Sequence, residues 1–460
     1  MALLESILFF RKAALRNDPP GPGRINSLRS IFGLKNDRIG PIVRLHEQYP
    51  DIALCRVGLQ RLYFLNKPEL IQECLLTRHK SMHKDPYYFF LKLILGNGLL
   101  TSEEDFHLKQ RRMIQPAFHK ERIPEYGRVM LEEADALSRG WKDGQELNMG
   151  TEMMQIALAI VGKTLFSSNV SHESARVAHA LETILDQDQR YMAPWGGLLA
   201  KLPLPATLRF NRALQELDDV LYAMIEAHEK QGDMGDVLSM LLAAEDEDDG
   251  ERMNRKQVRD EALTMFLAGH ETTAIAMTWC WYCLSQNPAV LQKLQAEVDA
   301  VFGDRENITP EDYPKLPYTR AVVSETMRLY PPAYMMGREA IEDTMIGEYT
   351  VPKGSIVIVS PYVTQRDERY WPNATAFRPE RWTDEDAALK RHKFAFFPFG
   401  GGKRLCVGEP FAWMEGVLVM ARLVRDWTAE LKPGFEVGYD PKVTLRPRDG
   451  MPMIVRKRVR

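Results

Sequence analysis

Cys406 closes a glycine-rich run, Phe396-Phe397-Pro398-Phe399-Gly400-Gly401-Gly402-Lys403-Arg404-Leu405-Cys406-Val407-Gly408, just ahead of helical spacing that starts at Glu409. Three consecutive glycines admit backbone conformations closed to other residues and let the chain approach a neighbour closely. A helix N-terminus favours anions, so the thiolate form of Cys406 is expected to be favoured there. Arg404 can reach an anionic group beside the sulfur, and Phe399 offers an apolar plate against water. No second Cys, His or Asp stands at zinc-finger spacing, which argues against a tetrahedral zinc site. A single thiolate on such a loop suits a one-sided ligand to a large planar metal complex, a haem. A nucleophilic cysteine with a basic partner elsewhere, or a structural one, also fits these residues.

A second constellation lies within a helical pattern running from Asn254 to Gln286, about 50 Å long at 1.5 Å per residue. At its centre, Phe266-Leu267-Ala268-Gly269-His270-Glu271-Thr272-Thr273 sets glycine, an acid and two threonines among apolar neighbours. Glycine costs a helix ~1 kcal/mol against alanine, and mid-helix threonine can bond back to the preceding turn and bend the axis. A long buried helix weakest at its middle invites a functional explanation, with a locally satisfied polar kink as the plain alternative. Cys280-Trp281-Tyr282-Cys283, further along, has redox-pair spacing but lies inside the apolar helix, so it reads as filler.

The elements that must position these residues are mostly helical. Helical spacing recurs over 106–118, 127–141, 149–166, 171–187, 208–230, 237–244, 288–302, 318–330 and 409–427. A strand-like stretch precedes them from Ile52 to Leu65, with Gly58 in its turn. Period two returns from Ile341 to Pro361, where Pro352-Lys353-Gly354 predicts a hairpin turn, and short strands close the chain at 444–446 and 453–459. The picture is mainly α with a small β-rich lobe. No linker interrupts it, so residues 19–460 are expected to form a single domain after an N-terminal segment, 1–18.

That segment carries an apolar stripe, Leu3, Leu4, Ile7, Leu8 and Phe10, far short of the ~20 residues a membrane span needs. It reads as packing on the protein's own body, with peripheral membrane contact as the alternative. Pro19-Pro20-Gly21-Pro22-Gly23 then ends any helix and begins the folded body. A net charge of −3 gives no basic field to attract nucleic acid, and five cysteines in 460 residues make no disulfide framework. A reducing cytoplasm is the natural compartment.

Phe399-x-x-Gly402-x-Arg404-x-Cys406-x-Gly408 resembles the haem-binding signature of the cytochrome P450 superfamily. Three further motifs follow that family's order. Ala268-Gly269-His270-Glu271-Thr272-Thr273 resembles its oxygen-activation segment, and Glu325-Thr326-Met327-Arg328 its paired Glu and Arg. Phe377-Arg378-Pro379-Glu380-Arg381-Trp382 resembles its Pro-Glu-Arg element, with Trp382 where Phe is usual. The resemblance implies a haem b lying between the long central helix and the helix after the cysteine loop. It makes Cys406 the axial ligand, whose thiolate pushes electron density toward O–O cleavage. Arg404, Arg338, Arg111 and His107 would serve the haem propionates, with His107 departing from the commoner tryptophan, and Phe399 and Gly408 would flank the cofactor.

Glu325, Arg328 and Arg381 would brace the segment leading to the cysteine loop. Glu271 and Thr272 would supply the protons that dioxygen needs before its O–O bond breaks heterolytically. The substrate pocket would draw on Phe266, Ala268, Gly269, Ala333, Tyr334, Met335 and Met451, besides the stretches 87–100 and 191–204 with Trp195. Its apolar, Met-rich content suits a lipophilic fatty acid, terpenoid or steroid, with Arg190 or Lys92 available to a carboxylate. The activity implied is oxygen-dependent hydroxylation or epoxidation by a soluble prokaryotic-type monomer. A haem-thiolate isomerase or dehydratase would not need the acid–alcohol pair, peroxide-using variants often lack it, and a haem sensor would lack a basic docking face.

The 54 residues after Cys406 leave no room for a fused flavin or iron–sulfur domain. Electrons from NAD(P)H are therefore expected through a ferredoxin with its reductase, or a flavodoxin. Lys390, Arg391, His392, Lys393 and Lys403 form a basic cluster that is either an ordinary solvated surface or the docking face for that partner, and Lys109 and Arg112 are expected to be solvated.

Overall fold

Apolar alternation from Ile52 to Leu65 resolves into two antiparallel strands, β1 (Ile52–Val57) and β2 (Gln60–Leu65), turning at Gly58 with φ +59°. In the computed structural model the described residues are 17–23, 26–27, 37–119, 121–167, 180–181, 183–184, 186–191, 196–384 and 389–459. The N-terminal apolar stripe, most of the 171–187 pattern and Trp195 lie outside them. The chain divides into two units. One comprises Met1–Pro86, Met335–Ala374 and His392–Leu405; the other comprises Tyr87–Tyr334, Thr375–Arg391 and Cys406–Arg460.

The first unit is built on the sheet that β1 and β2 begin. Its other strands are β3 (Met82–Lys84), β4 (Met336–Ala340), β5 (Thr344–Ile346), β6 (Tyr349–Val351) and β7 (Ile356–Val359). The main sheet has the order β1-β2-β7-β4-β3, with β7 parallel to β2 and antiparallel to β4. β7 is buried along its whole length, as expected of a strand covered on both faces. Ile52, Leu54, Tyr63, Leu65, Val357 and Val359 contribute to the core. The Pro19–Gly23 segment lies against β1: Leu54 N–H donates to Pro20 O at 2.9 Å, and Asp18 pairs with Arg56 and Arg61 at 2.5 and 2.9 Å.

The hairpin expected between 341 and 361 is displaced. β5 and β6 pair about Gly347, which takes φ +57°, and Pro352-Lys353-Gly354 instead leads out to β7 in the main sheet. An alternating pattern fixes which faces are apolar but not which strand is the partner.

The second unit is helical: α1 (Glu104–Ile114), α2 (Ile123–Ser138), α3 (Met149–Phe166), α4 (Pro205–Gln231) and α5 (Val237–Ala243) precede the long α6 (Arg255–Gln286). Then come α7 (Pro288–Phe302), α8 (Pro317–Leu329) and α9 (Glu409–Asp426). Asn254 opens α6 with a capping box: its side chain accepts from Gln257 N–H, and Gln257 Oε1 accepts from Asn254 N–H, each at 2.9 Å. α6 packs chiefly on α3 and also meets α8, α4 and α9. A small sheet sets the strand Pro452–Lys457 between Glu146–Asn148 and Trp427–Leu431.

Lys109 and Arg112 are not simply solvated. The Lys109 ammonium meets Asp249 and Glu251 at 2.6 and 2.7 Å, while Arg112 meets Asp246 and Asp248 at 2.9 and 2.6 Å. The acidic run that precedes α6 thus clamps the outer side of α1. Such pairing is invisible to local pattern because its partners are far apart in sequence. Among the described residues, no helix is long and apolar enough to cross a membrane.

Candidate active site

Cys406 is exposed, whereas Cys55, Cys74, Cys280 and Cys283 are buried. Its sulfur is nevertheless set in dehydrated surroundings. Desolvation is the dominant influence and pushes the thiol up, against the backbone N–H of Gly408, with Glu409 adding to the rise and Arg111 opposing it. Burial of the sulfur thus works against the pull of the helix N-terminus on the thiolate. A sulfur that can be reached but is poorly hydrated suits coordination to a cation, which deprotonates a thiol outright. A Cβ at Gly408 would stand 4.0 Å from Sγ and 3.8 Å from the Phe118 ring, so the glycine keeps space free beside the sulfur. These residues fit a haem held through Cys406.

Arg111 lies on α1 in electrostatic reach of Cys406, half-buried, and burial lowers its pKa. His107 is buried one helical turn earlier. A guanidinium that has lost hydration beside an accessible thiol suits the partner of a buried carboxylate.

The glycine run belongs to the first unit, where it is tightly constrained. Gly402 takes φ +67°, and a Cβ there would lie 2.2 Å from Leu75 O. Arg404 ends the short 3₁₀ turn that Gly402 opens, and both Arg404 and Phe399 are half-buried. Arg338, on β4, is buried and donates from Nη1 to Gly337 O at 2.8 Å.

α6 carries the other half of the chemistry. From Val258 to Trp281 only Ala268, Gly269 and Thr272 escape full burial. Their spacing is that of one helical stripe, so a single face of this otherwise enclosed helix is open. Thr272 Oγ1 donates to Ala268 O at 2.7 Å. Glu271 turns elsewhere: it is buried, accepts from Thr444 Oγ1 at 2.7 Å and lies 3.2 Å from Arg446. The acid and the alcohol are therefore neighbours in sequence on different faces of α6. Thr444 and Arg446 were missed because nothing in the sequence around them points to a helix so distant. His270 faces α3, where burial lowers its pKa to about 4 against a bond to the Met154 backbone, leaving the ring neutral.

The expected pocket residues separate. Ala268 and Gly269 lie on the open stripe, and Ala333 and Met335 are half-buried. Phe266 is core, 5.9 Å from the Phe166 ring, and Met451 is fully buried. Tyr334 is also buried, its hydroxyl donating to Pro441 O and Lys442 O at 3.3 and 3.0 Å. Position along the chain did not say which way these side chains point.

The brace is assembled in the second unit. Arg328 donates to both oxygens of Glu325 at 2.8 Å each, and Arg381 Nε donates to Glu325 Oε1 at 2.9 Å. Trp382 Nε1 and the Arg378 backbone N–H add donors to the same carboxylate, each at 2.9 Å. The departure from Phe at Trp382 thus has a physical use, since the indole brings a donor that a phenyl ring lacks.

Comparison with known proteins gives a consistent picture. A family model described as Cytochrome P450 matches residues 19–450. Cyclooctatin synthase of Streptomyces melanosporofaciens is 38% identical over 86% of this chain and 86% of its own length. Pentalenene oxygenase of Streptomyces avermitilis is 33% identical over 84% of this chain and 86% of its own. The crystal structure of the cytochrome P450DA heme domain superposes with a TM-score of 0.85 at 23% identity, covering 96% of this chain and 98% of that one.

Proposed function

We propose, from the premise that this chain belongs to the cytochrome P450 family, that it hydroxylates or epoxidises a terpenoid hydrocarbon or alcohol. The family fixes the general reaction: a haem b monooxygenase that uses dioxygen and takes electrons from NAD(P)H through a redox partner. Two named relatives, pentalenene oxygenase and cyclooctat-9-en-7-ol 5-monooxygenase, support the terpenoid class. The open stripe of Ala268, Gly269 and Thr272 carries the reading, because it offers one hydroxyl within an apolar wall.

Haem, when bound, supplies the iron at which dioxygen is reduced and one oxygen atom is transferred. In the reading proposed, Cys406 Sγ would hold the iron, and Arg111, His107, Arg404 and Arg338 would serve the propionates, as the family motifs imply. Ala268 and Gly269 leave room for a small ligand beside Thr272. Thr272 Oγ1 hands on a proton after turning away from Ala268 O, and Glu271 replenishes it through ordered water, since the two side chains do not meet directly. Glu325, Arg328 and Arg381 only brace.

Optical titration with terpenes, fatty acids and steroids tests the substrate class. Terpenes should convert the resting haem to high spin at the lowest concentrations; a response confined to fatty acids would reject the terpenoid reading. For electron supply we favour a ferredoxin or flavodoxin with an acidic face. Lys390, Lys393 and Lys403 are exposed. Arg391 is withdrawn, lying over the Trp382 ring at 5.2 Å. Reduction should slow as salt rises, whereas a flat ionic-strength profile would remove that docking mode. Five free cysteines support a reducing, cytoplasmic setting.

A further inference from the structure

Glu415 lies within α9, fully buried, and neither carboxyl oxygen closes a hydrogen bond of ordinary geometry. α9 packs on α6, and the α6 group facing this carboxyl is the hydroxyl of Thr273, itself buried. Thr273 immediately follows Thr272, whose face of α6 is open. Burial pushes the Glu415 carboxyl up to about 8, with Thr273 the only opposing influence, so it is a neutral acid at neutral pH.

Other charged groups on α6 and on the elements around α9 are committed elsewhere. His270 is bonded to the Met154 backbone, Glu271 to Thr444, and Glu325 to Arg328 and Arg381. Asp135 pairs with Arg422, Glu297 accepts from Thr319, and Asp312 from Arg305. On α9 itself Glu409 accepts from Trp413, Asp426 from Arg422, and Arg425 lies over the Phe302 ring. A buried carboxyl with so little compensation costs stability that a leucine or methionine would not.

We infer that Glu415 is a positioning residue for the oxygen chemistry: as a neutral acid it donates to Thr273 Oγ1 and fixes the turn of α6 that presents Thr272. Once ionised it can only accept, so its bond with the Thr273 hydroxyl must reverse, which shifts that turn. The oxygen site is therefore sensitive to alkaline pH through a residue that touches neither substrate nor cofactor. This inference rests on the monooxygenase reading and extends it.

The test is the infrared stretch of carbon monoxide on the reduced, haem-loaded protein, which reports polar groups beside the ligand without requiring turnover. In the wild type the band should shift as pH rises through Glu415 ionisation. Glu415→Gln keeps a donor at every pH, so its band should stay at the wild-type low-pH position, and Glu415→Leu should show a displaced band throughout. The same alkaline shift in Glu415→Gln, or a wild-type band in Glu415→Leu, would overturn the inference while leaving the monooxygenase reading intact. A wild-type protein without the thiolate-type optical band would overturn both.

Discussion

Glu325 accepts two guanidinium bonds from Arg328, three residues on in the same helix, with both side chains fully buried. Arg381 and Trp382 close on the same carboxylate from a segment more than fifty residues away in sequence. Removing one member leaves an uncompensated buried charge, which costs ~3–5 kcal/mol. Glu325→Ala should lower the denaturant midpoint accordingly and abolish haem retention. Trp382→Phe forfeits a single bond and should cost about 1 kcal/mol while keeping haem. Unfolding curves together with haem content check both variants.

Thr272→Ala should leave haem binding unchanged and release reductant electrons as peroxide. A positioned proton donor contributes about 10²–10⁴-fold, so product per reductant consumed should fall at least tenfold. Thr272→Ser should restore most of it. Unchanged coupling in the alanine variant would remove Thr272 from proton delivery.

Glu271 is held by Thr444 and Arg446 away from the open stripe, so its contribution runs through water. Glu271→Gln keeps an acceptor for Thr444 but carries no transferable proton. Turnover should fall by roughly 10²-fold, with a larger solvent deuterium isotope effect and an unaltered optical spectrum. A variant with normal kcat would leave Thr272 supplied by solvent alone.

The Glu415 carboxyl, raised from 4.5 to about 8, fixes the sign of a pH effect on stability. Between those values the folded state retains a proton that the unfolded state has released. Stability therefore declines as pH rises through that window, by ~1.4 kcal/mol per unit, and levels off above it. Denaturant unfolding of the wild type should show this slope between pH 5 and 8, and Glu415→Gln should be flatter by that amount.

Much of this was legible in the sequence where local chemistry decides. The capping box at Asn254 opens α6 where the pattern placed it, and Glu325 with Arg328 pair because their spacing puts them on one helix face. What could not be read were choices made by distant partners. β7 leaves the expected hairpin to join β2, Glu271 turns to Thr444, and Lys109 and Arg112 take up the acidic run. The desolvation around Cys406 could not be read either, because the helix N-terminus is visible in sequence and the burial that opposes it is not.

The central claim is that Cys406 is the thiolate ligand of a haem. The reduced, haem-loaded protein under carbon monoxide should show a Soret band at the long-wavelength position of thiolate ligation, and Cys406→Ala, still folded, should lose it. Absence of the band from the wild type, or its survival in the alanine variant, would contradict the account.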